Sequence, residues 1–564
     1  MVWGILETPK GVHVPGTVVL ADRSELPPEY AHIPPDQLRH GTGHFSNVVL
    51  SPQPTSSPND PLNWPLWKKD LVLFITGLSA GVVGAYGPML SPGFVVISAD
   101  LGIDPNTLSQ ATAWVVLVIG LSLFVFNPIA KKIGRRPVYI ACSIIMFSAS
   151  LWGGLSTGYN SFLGSRIWGA FGMAPYEVLV QCTIADLYFV HQRATRIAVW
   201  NMFLLCGIAG GALIAGYIIE NQGWHWTFLW CAILFGALLP LVFLFVPETA
   251  YVRLPLDQRF PAPPQPRDRE KTELADAAAA SEVEKPSAVG GRVPVDPESA
   301  SASAAAATAP TEAKHSFWRS LRVFTGIYST TAPLRIFLRP FVIFFYPGVF
   351  WGFLLYGATL TWIVVFSVVN AGIFTEAPYN FSVSQTGLIS LSPFVFTLLG
   401  EAISGPLNDR ITVWLARKNR GIYEPEFRLP LVVMPLVIGA VGFYGFGITI
   451  HYQTHWSGPV LCFGLANMAV ACLNASVFPY ILDAHNELSE EAFVAINARN
   501  FLTFGLTYFV NHWLRQSGAL NVFLVLGSIY VAVILTTIPL WVFGKRARFY
   551  IANNQFLQTF MHED

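Results

Sequence analysis

Past a polar, proline-rich opening, apolar residues fall into runs of about 20, the length an α-helix needs to cross a bilayer core. Six runs lie near 71–92, 107–128, 137–156, 162–187, 196–219 and 226–246. A polar stretch follows, and six more runs lie near 341–371, 385–408, 430–450, 458–482, 494–514 and 519–543. The pattern predicts an all-α membrane protein with 12 transmembrane helices in two six-helix, pseudo-symmetric bundles, 67–250 and 339–545. Residues 1–66 are expected to be a disordered tail and 251–338 a disordered linker, because Pro261–Pro266 and Ser299–Ala309 cannot build an apolar face. Residues 546–564 form a C-terminal tail.

Lysine and arginine set the orientation. The loop after the second run holds Lys131, Lys132, Arg135 and Arg136, and the region after the eighth holds Arg410, Arg417, Lys418, Arg420 and Arg428. Loops on the other side carry Asp100, Asp104, Glu220 and Glu376. The positive-inside rule then places both termini and the linker in the cytosol. The sequon Asn380-Phe381-Ser382 falls in a loop that this topology puts outside, so Asn380 is a glycosylation site. The second sequon, at Asn474, lies inside the tenth run and is expected to stay unused.

Composition agrees: 53% of the 564 residues are hydrophobic and 12% charged, with 34 basic and 34 acidic side chains. A soluble domain averages about 25% charged. The charge balance gives no basic surface for nucleic acid. The six cysteines all sit in apolar runs, as small buried hydrophobes do. No phosphate-binding Gly-x-x-x-x-Gly-Lys-Ser/Thr occurs, which argues against a primary pump. No His-x-x-x-His spacing suggests a metal, so the reading is no enzyme, no metal and no cofactor.

The halves echo each other. Asn127-Pro128-Ile129-Ala130-Lys131-Lys132-Ile133-Gly134-Arg135-Arg136 after the second run answers Gly405-Pro406-Leu407-Asn408-Asp409-Arg410 after the eighth. Runs four and ten end in Asp186 and Asp483. These loops resemble the major facilitator superfamily pattern Gly-x-Leu-Ala-Asp-Arg-x-Gly-Arg-Lys/Arg, although Lys131 replaces the first-half acid. Pro175 to Val180, Ile184 to His191, Val246-Pro247-Glu248-Thr249 and Asp60-Pro61-Leu62-Asn63-Trp64 resemble the fungal drug:proton antiporter branch, which includes cation and polyamine carriers. The resemblance implies the major facilitator fold, a small-molecule substrate, protons and the bilayer as partners, and a monomer. That family's antiporter motif in the fifth helix carries Gly-Pro, where this chain has Gly210-Gly211-Ala212.

Glu177 is an acid inside an apolar run, which marks a functional site because an unpaired charge there costs at least about 2.5 kcal/mol. Arg166 lies eleven residues earlier on the same helix face, and the resemblance links an arginine at that place to proton movement. Glu401 in the eighth run is a second proton or cation candidate. Polar and aromatic groups inside the runs, namely Tyr86, Gln181, Trp351, Tyr356, Asn467, Asn474, Asn497 and Asn500, either line a central cavity or join helices by hydrogen bonds. Arg135, Arg136, Asp409, Arg410, Asp186 and Asp483 are candidates for a cytosolic gate. Gly207, Gly211 and Ala215 form a ridge of small residues for close helix packing.

The function expected is proton-coupled movement of small organic molecules by alternating access, with efflux of drug-like or secondary metabolites as the leading reading. Proton-driven uptake of organic cations such as polyamines is the alternative, and a non-transporting receptor of the same fold belongs to another class. The membrane expected is the plasma membrane, with the vacuolar membrane as alternative.

Overall fold

The structure is a computed structural model that describes residues 50–253, 314–485 and 488–555, with short pieces at 4–7, 14–19 and 39–41 and residues 557 and 561. Most of the expected linker lies outside the described residues.

Long helices fill both halves. The first half has α1 Leu66–Tyr86, α2 Pro105–Ile133, α3 Arg135–Gly154, α4 Tyr159–Leu187, α5 Val190–Gln222 and α6 Trp224–Phe245. The second has α7 Pro347–Thr375, α8 Leu391–Lys418, α9 Val433–His451 and α10 Ser457–Ala484. It closes with Arg499–Leu535, which breaks at Gly518 (φ 74°, ψ 158°) into α11 (499–517) and α12 (519–535). Each overlaps one of the apolar runs. Among the described residues, ten helical segments are long and apolar enough to cross a membrane. Helix α4 and the first part of Arg499–Leu535 have the length but not the apolarity, and they carry Arg166, Glu177 and Arg499.

Within the halves, α1 packs on α5 and α3 packs on α4 and α6, while α9 packs on α10. The α1–α5 contact depends on glycine. A Cβ on Gly207 would lie 2.0 Å from the Gly81 carbonyl, and one on Gly211 2.6 Å from Ala85 Cα. The ridge is therefore a packing surface. Between the halves, α5 crosses α8 and α10, and α2 lies along α11.

Residues 4–7, Arg253 and His315 lie at one end of the bundle, the terminal face, where Leu6 bonds the Val542 carbonyl, Arg253 bonds Asp60 and the His315 amide bonds Asn59. The motif at Val246-Pro247-Glu248-Thr249 acts there. Glu248 accepts hydrogen bonds from the amides of Arg135 (3.0 Å) and Arg136 (3.1 Å), filling open donors at the start of α3 with an anion. Gly134, at φ 98°, admits it, since a Cβ there would meet the carboxylate at 2.3 Å.

The expected tail to residue 66 is ordered from residue 50. Asp60 is buried and accepts hydrogen bonds from Thr55 (3.0 Å), the Leu62 amide (3.0 Å) and Arg253 (2.9 Å). Burial alone would push its carboxyl up, but the hydrogen bond and charge of Arg253 hold it below the usual range. Residues 314–338 of the expected linker are described, and helix Pro333–Ile343 runs across 338. Arg339 on that helix lies 3.6 Å from Glu491.

The N-terminal piece binds the opposite half. Val18 and Val19 pair antiparallel with Tyr423 and Ile422, and Thr17 donates to Glu424 at 2.7 Å. The Arg548 guanidinium holds the Pro15 carbonyl. Gly16 (φ 83°) lies so close that a Cβ would come within 2.6 Å of the Asp483 carbonyl.

Candidate functional site

Charged and amide side chains from both halves meet along the seam at two levels, and contacts between the halves also close its far end. At the terminal face, Arg193 of α5 pairs with Asp483 of α10 at 3.0 Å, and both are buried. Asp483 also accepts from Arg428 (2.7 Å) and Tyr423 (2.6 Å). Asp409 accepts from the amide (2.9 Å) and hydroxyl (2.6 Å) of Thr195, and lies 3.4 Å from Arg428. Arg135 joins Asp186 of its own half to Glu490 of the other (2.6 Å), and Lys131 reaches Glu491 at 2.5 Å. Four of the six proposed gate residues thus form a cross-half network. Arg136 is different: its guanidinium caps the carbonyls of Val246, Phe243 and Leu321, so it anchors a loop. Arg410 is exposed outside this network.

At mid-membrane, Arg499 of α11 donates to Glu177 of α4 at 3.2 Å. Tyr356 lies beneath the guanidinium, 4.6 Å from ring centre to charge, and Asn500 accepts at 2.9 Å. The pair opens onto a cavity of about 110 Å³ walled by apolar side chains such as Val115, Ile119, Leu204, Ile208, Leu360 and Ile363. Deeper toward the far face, Asn467, Asn370, Thr386 and Ser390 line a smaller cavity of about 30 Å³. Elsewhere on the seam, Asn201 of α5 donates to Glu401 of α8, and Asn474 of α10 donates to Asn201 at 3.2 Å. At the far end, Glu220 accepts from Ser384 (2.6 Å) and Ser382 (3.3 Å), and Gly216 nests against Gly387.

Other residues singled out in the sequence go elsewhere. Arg166 does not face the cavity. Its guanidinium donates to the carbonyls of Tyr86 and Gly87, both at 2.6 Å, and lies over the Tyr86 ring. It caps the C-terminus of α1, where open carbonyls favour a cation. Trp351 donates to Thr537 (3.1 Å), Gln181 to the Glu177 carbonyl (3.1 Å) and Asn497 to the Phe493 carbonyl (2.9 Å). These three join or brace helices. Asn380 is exposed in the far-face loop, whereas Asn474 is fully buried.

The sequence profile of the Major Facilitator Superfamily matches residues 71–507. The chain belongs to that superfamily. An uncharacterised MFS-type transporter of Schizosaccharomyces pombe is 27% identical to this superfamily member, covering 92% of the chain and 90% of the relative. The efflux pump radE of Floropilus chiversii is 25% identical, covering 87% and 83%. Among solved structures, the proton:xylose symporter XylE shares the facilitator fold with a TM-score of 0.53 at 14% identity, covering 88% of this chain and 97% of that one. The chain is a multi-pass membrane transporter, not an enzyme.

Residues missed from sequence include Arg499, Arg193, Arg428, Asn201 and Glu490. Arg499 sits between Asn497 and Asn500 inside an apolar run, where the rule that selected Glu177 also selects it.

Proposed function

We propose that this transporter couples protons to the export of small, largely apolar organic molecules by alternating access, with its terminal face in the cytosol. The Glu177–Arg499 pair carries the reading. It joins the halves beside an apolar cavity, and a proton on Glu177 cancels the attraction that holds them. A bound species shifts a conformational balance only through unequal affinity for its states, and this pair supplies such an inequality. Two charges matched to each other leave the cavity suited to neutral or amphipathic cargo. A relative named as an efflux pump supports export. The transporter acts as a monomer in the plasma membrane.

A second reading, uptake of organic cations such as polyamines, is favoured by Glu401, whose carboxylate meets the Asn201 amide and pairs with no cation among the described residues. Purified protein in liposomes with an imposed pH step separates the two. Gradient-driven movement of neutral lipophilic compounds supports export of apolar cargo. Movement of organic cations alone selects the second reading, and transport indifferent to the pH step removes proton coupling.

A further inference from the structure

Glu401 lies at the seam, where Asn201 of α5 donates to it and Asn474 of α10 donates in turn to Asn201. Glu401 is 2% exposed, Asn201 1% and Asn474 0%. Asn474 donates to the Asn201 carbonyl oxygen at 3.2 Å, which turns the Asn201 amide nitrogen toward Glu401 Oε1. Two acceptors are left without a donor, Glu401 Oε2 and Asn474 Oδ1. The hydroxyl of Thr397, four residues before Glu401 on the same face of α8, is also unpartnered. The titratable groups facing the carboxyl are the thiols of Cys206 from α5 and Cys472 from α10. The nearest charged residue along α8, Asp409, is already held by Thr195 and Arg428.

An isolated buried carboxylate costs far more than one amide hydrogen bond returns, and such a group is neutralised instead. A proton on Oε2 does this and converts one orphaned acceptor into a donor. A metal cation fits less well, because one carboxylate oxygen already faces an N–H donor that a cation would repel.

We propose that Glu401, positioned by Asn201 and Asn474, is a second proton-binding site at the seam, separate from Glu177. It rests on the reading of the chain as a proton-coupled carrier only for its role; the site itself is defined by binding. Because Asn201 belongs to the first half and Glu401 and Asn474 to the second, the site is complete only while α5 lies against α8 and α10. Opening that side of the seam exposes the carboxyl to water and lets the proton leave.

Infrared spectroscopy of purified full-length protein at neutral pH tests this without transport. A neutral carboxylic acid gives its own carbonyl-stretch band, which shifts in D2O. The wild-type band should lose one acid's worth of intensity in Glu401→Gln and keep it in Glu177→Gln. Asn474→Ala should keep the intensity but shift the band, because Asn201 loses the bond that turns its amide nitrogen toward the acid. That variant serves also if Glu401→Gln does not fold. An unchanged band in both Glu401→Gln and Asn474→Ala would overturn the proposal. So would carboxylate bands that respond to sodium in the wild type and not in Glu401→Gln, which would make it a metal-ion site. Failure of pH-driven transport with this band present would remove the coupling reading and leave the proton site standing.

Discussion

Arg499 and Glu177 meet at 3.2 Å across the seam, and each comes from the helix of its half that is too polar to read as a membrane span. Glu177→Gln should fold and still exchange substrate between the two sides, yet lose accumulation driven by a pH step. Arg499→Ala should be worse for the protein than for its chemistry, since it leaves the part-buried Glu177 carboxylate without its cation, a loss below the ~3–5 kcal/mol of a fully buried pair. The double variant should recover folded yield. Reconstituted transport and size-exclusion yield read both, and undiminished gradient-driven accumulation in Glu177→Gln would move the coupling role to Glu401.

The terminal-face network ties Arg135 to Glu490, Asp409 to Thr195 and Asp483 to Arg193. Arg135→Ala and Asp409→Ala should slow turnover several-fold while equilibrium substrate binding changes little, because they act on exchange between states. Arg136→Ala should instead lower folded yield, because it frees three main-chain carbonyls. Binding lost with turnover of bound substrate intact would contradict the gate.

Gly207 has no room for any side chain against Gly81. Gly207→Val should destabilise the first half by about 1–3 kcal/mol or more, as overpacking does, and Gly210→Ala, whose nearest neighbour is the Phe394 ring edge at 3.4 Å, should be mild. Thermal unfolding of the two purified variants makes the comparison. Equal melting temperatures would show that α1 and α5 can move apart without loss.

Asn380 is exposed at the face opposite both termini. Asn380→Gln should abolish the mobility shift caused by an N-glycosidase, while Asn474→Gln should leave it in place. A shift that survives Asn380→Gln would reverse the proposed orientation.

The helices were legible because crossing a bilayer demands long apolar runs, and that demand leaves a mark in each segment separately. Glu177 was legible for the same reason, as a lone acid where none is tolerated without purpose. Its partner Arg499 carries the same mark, as a lone cation in an apolar run. What the sequence could not show is where main-chain oxygens point. Arg166 and Arg136 both have the look of ion-pair residues, and both end on carbonyls, at the end of α1 and in the loop after α6. Nor do amides announce their partners: Asn474 was noticed, but its bond to Asn201 joins positions 273 residues apart.

The first residues of the chain are held by the half to which they do not belong. Residues 14–19 grip Ile422, Tyr423, Glu424 and Arg548, and the chain then returns to start α1. The first half is therefore tied to the second through residues 14–19, which precede it, as well as through the chain that runs on after Arg253. A cut between the halves does not set the first half adrift, because it still holds on by its own beginning.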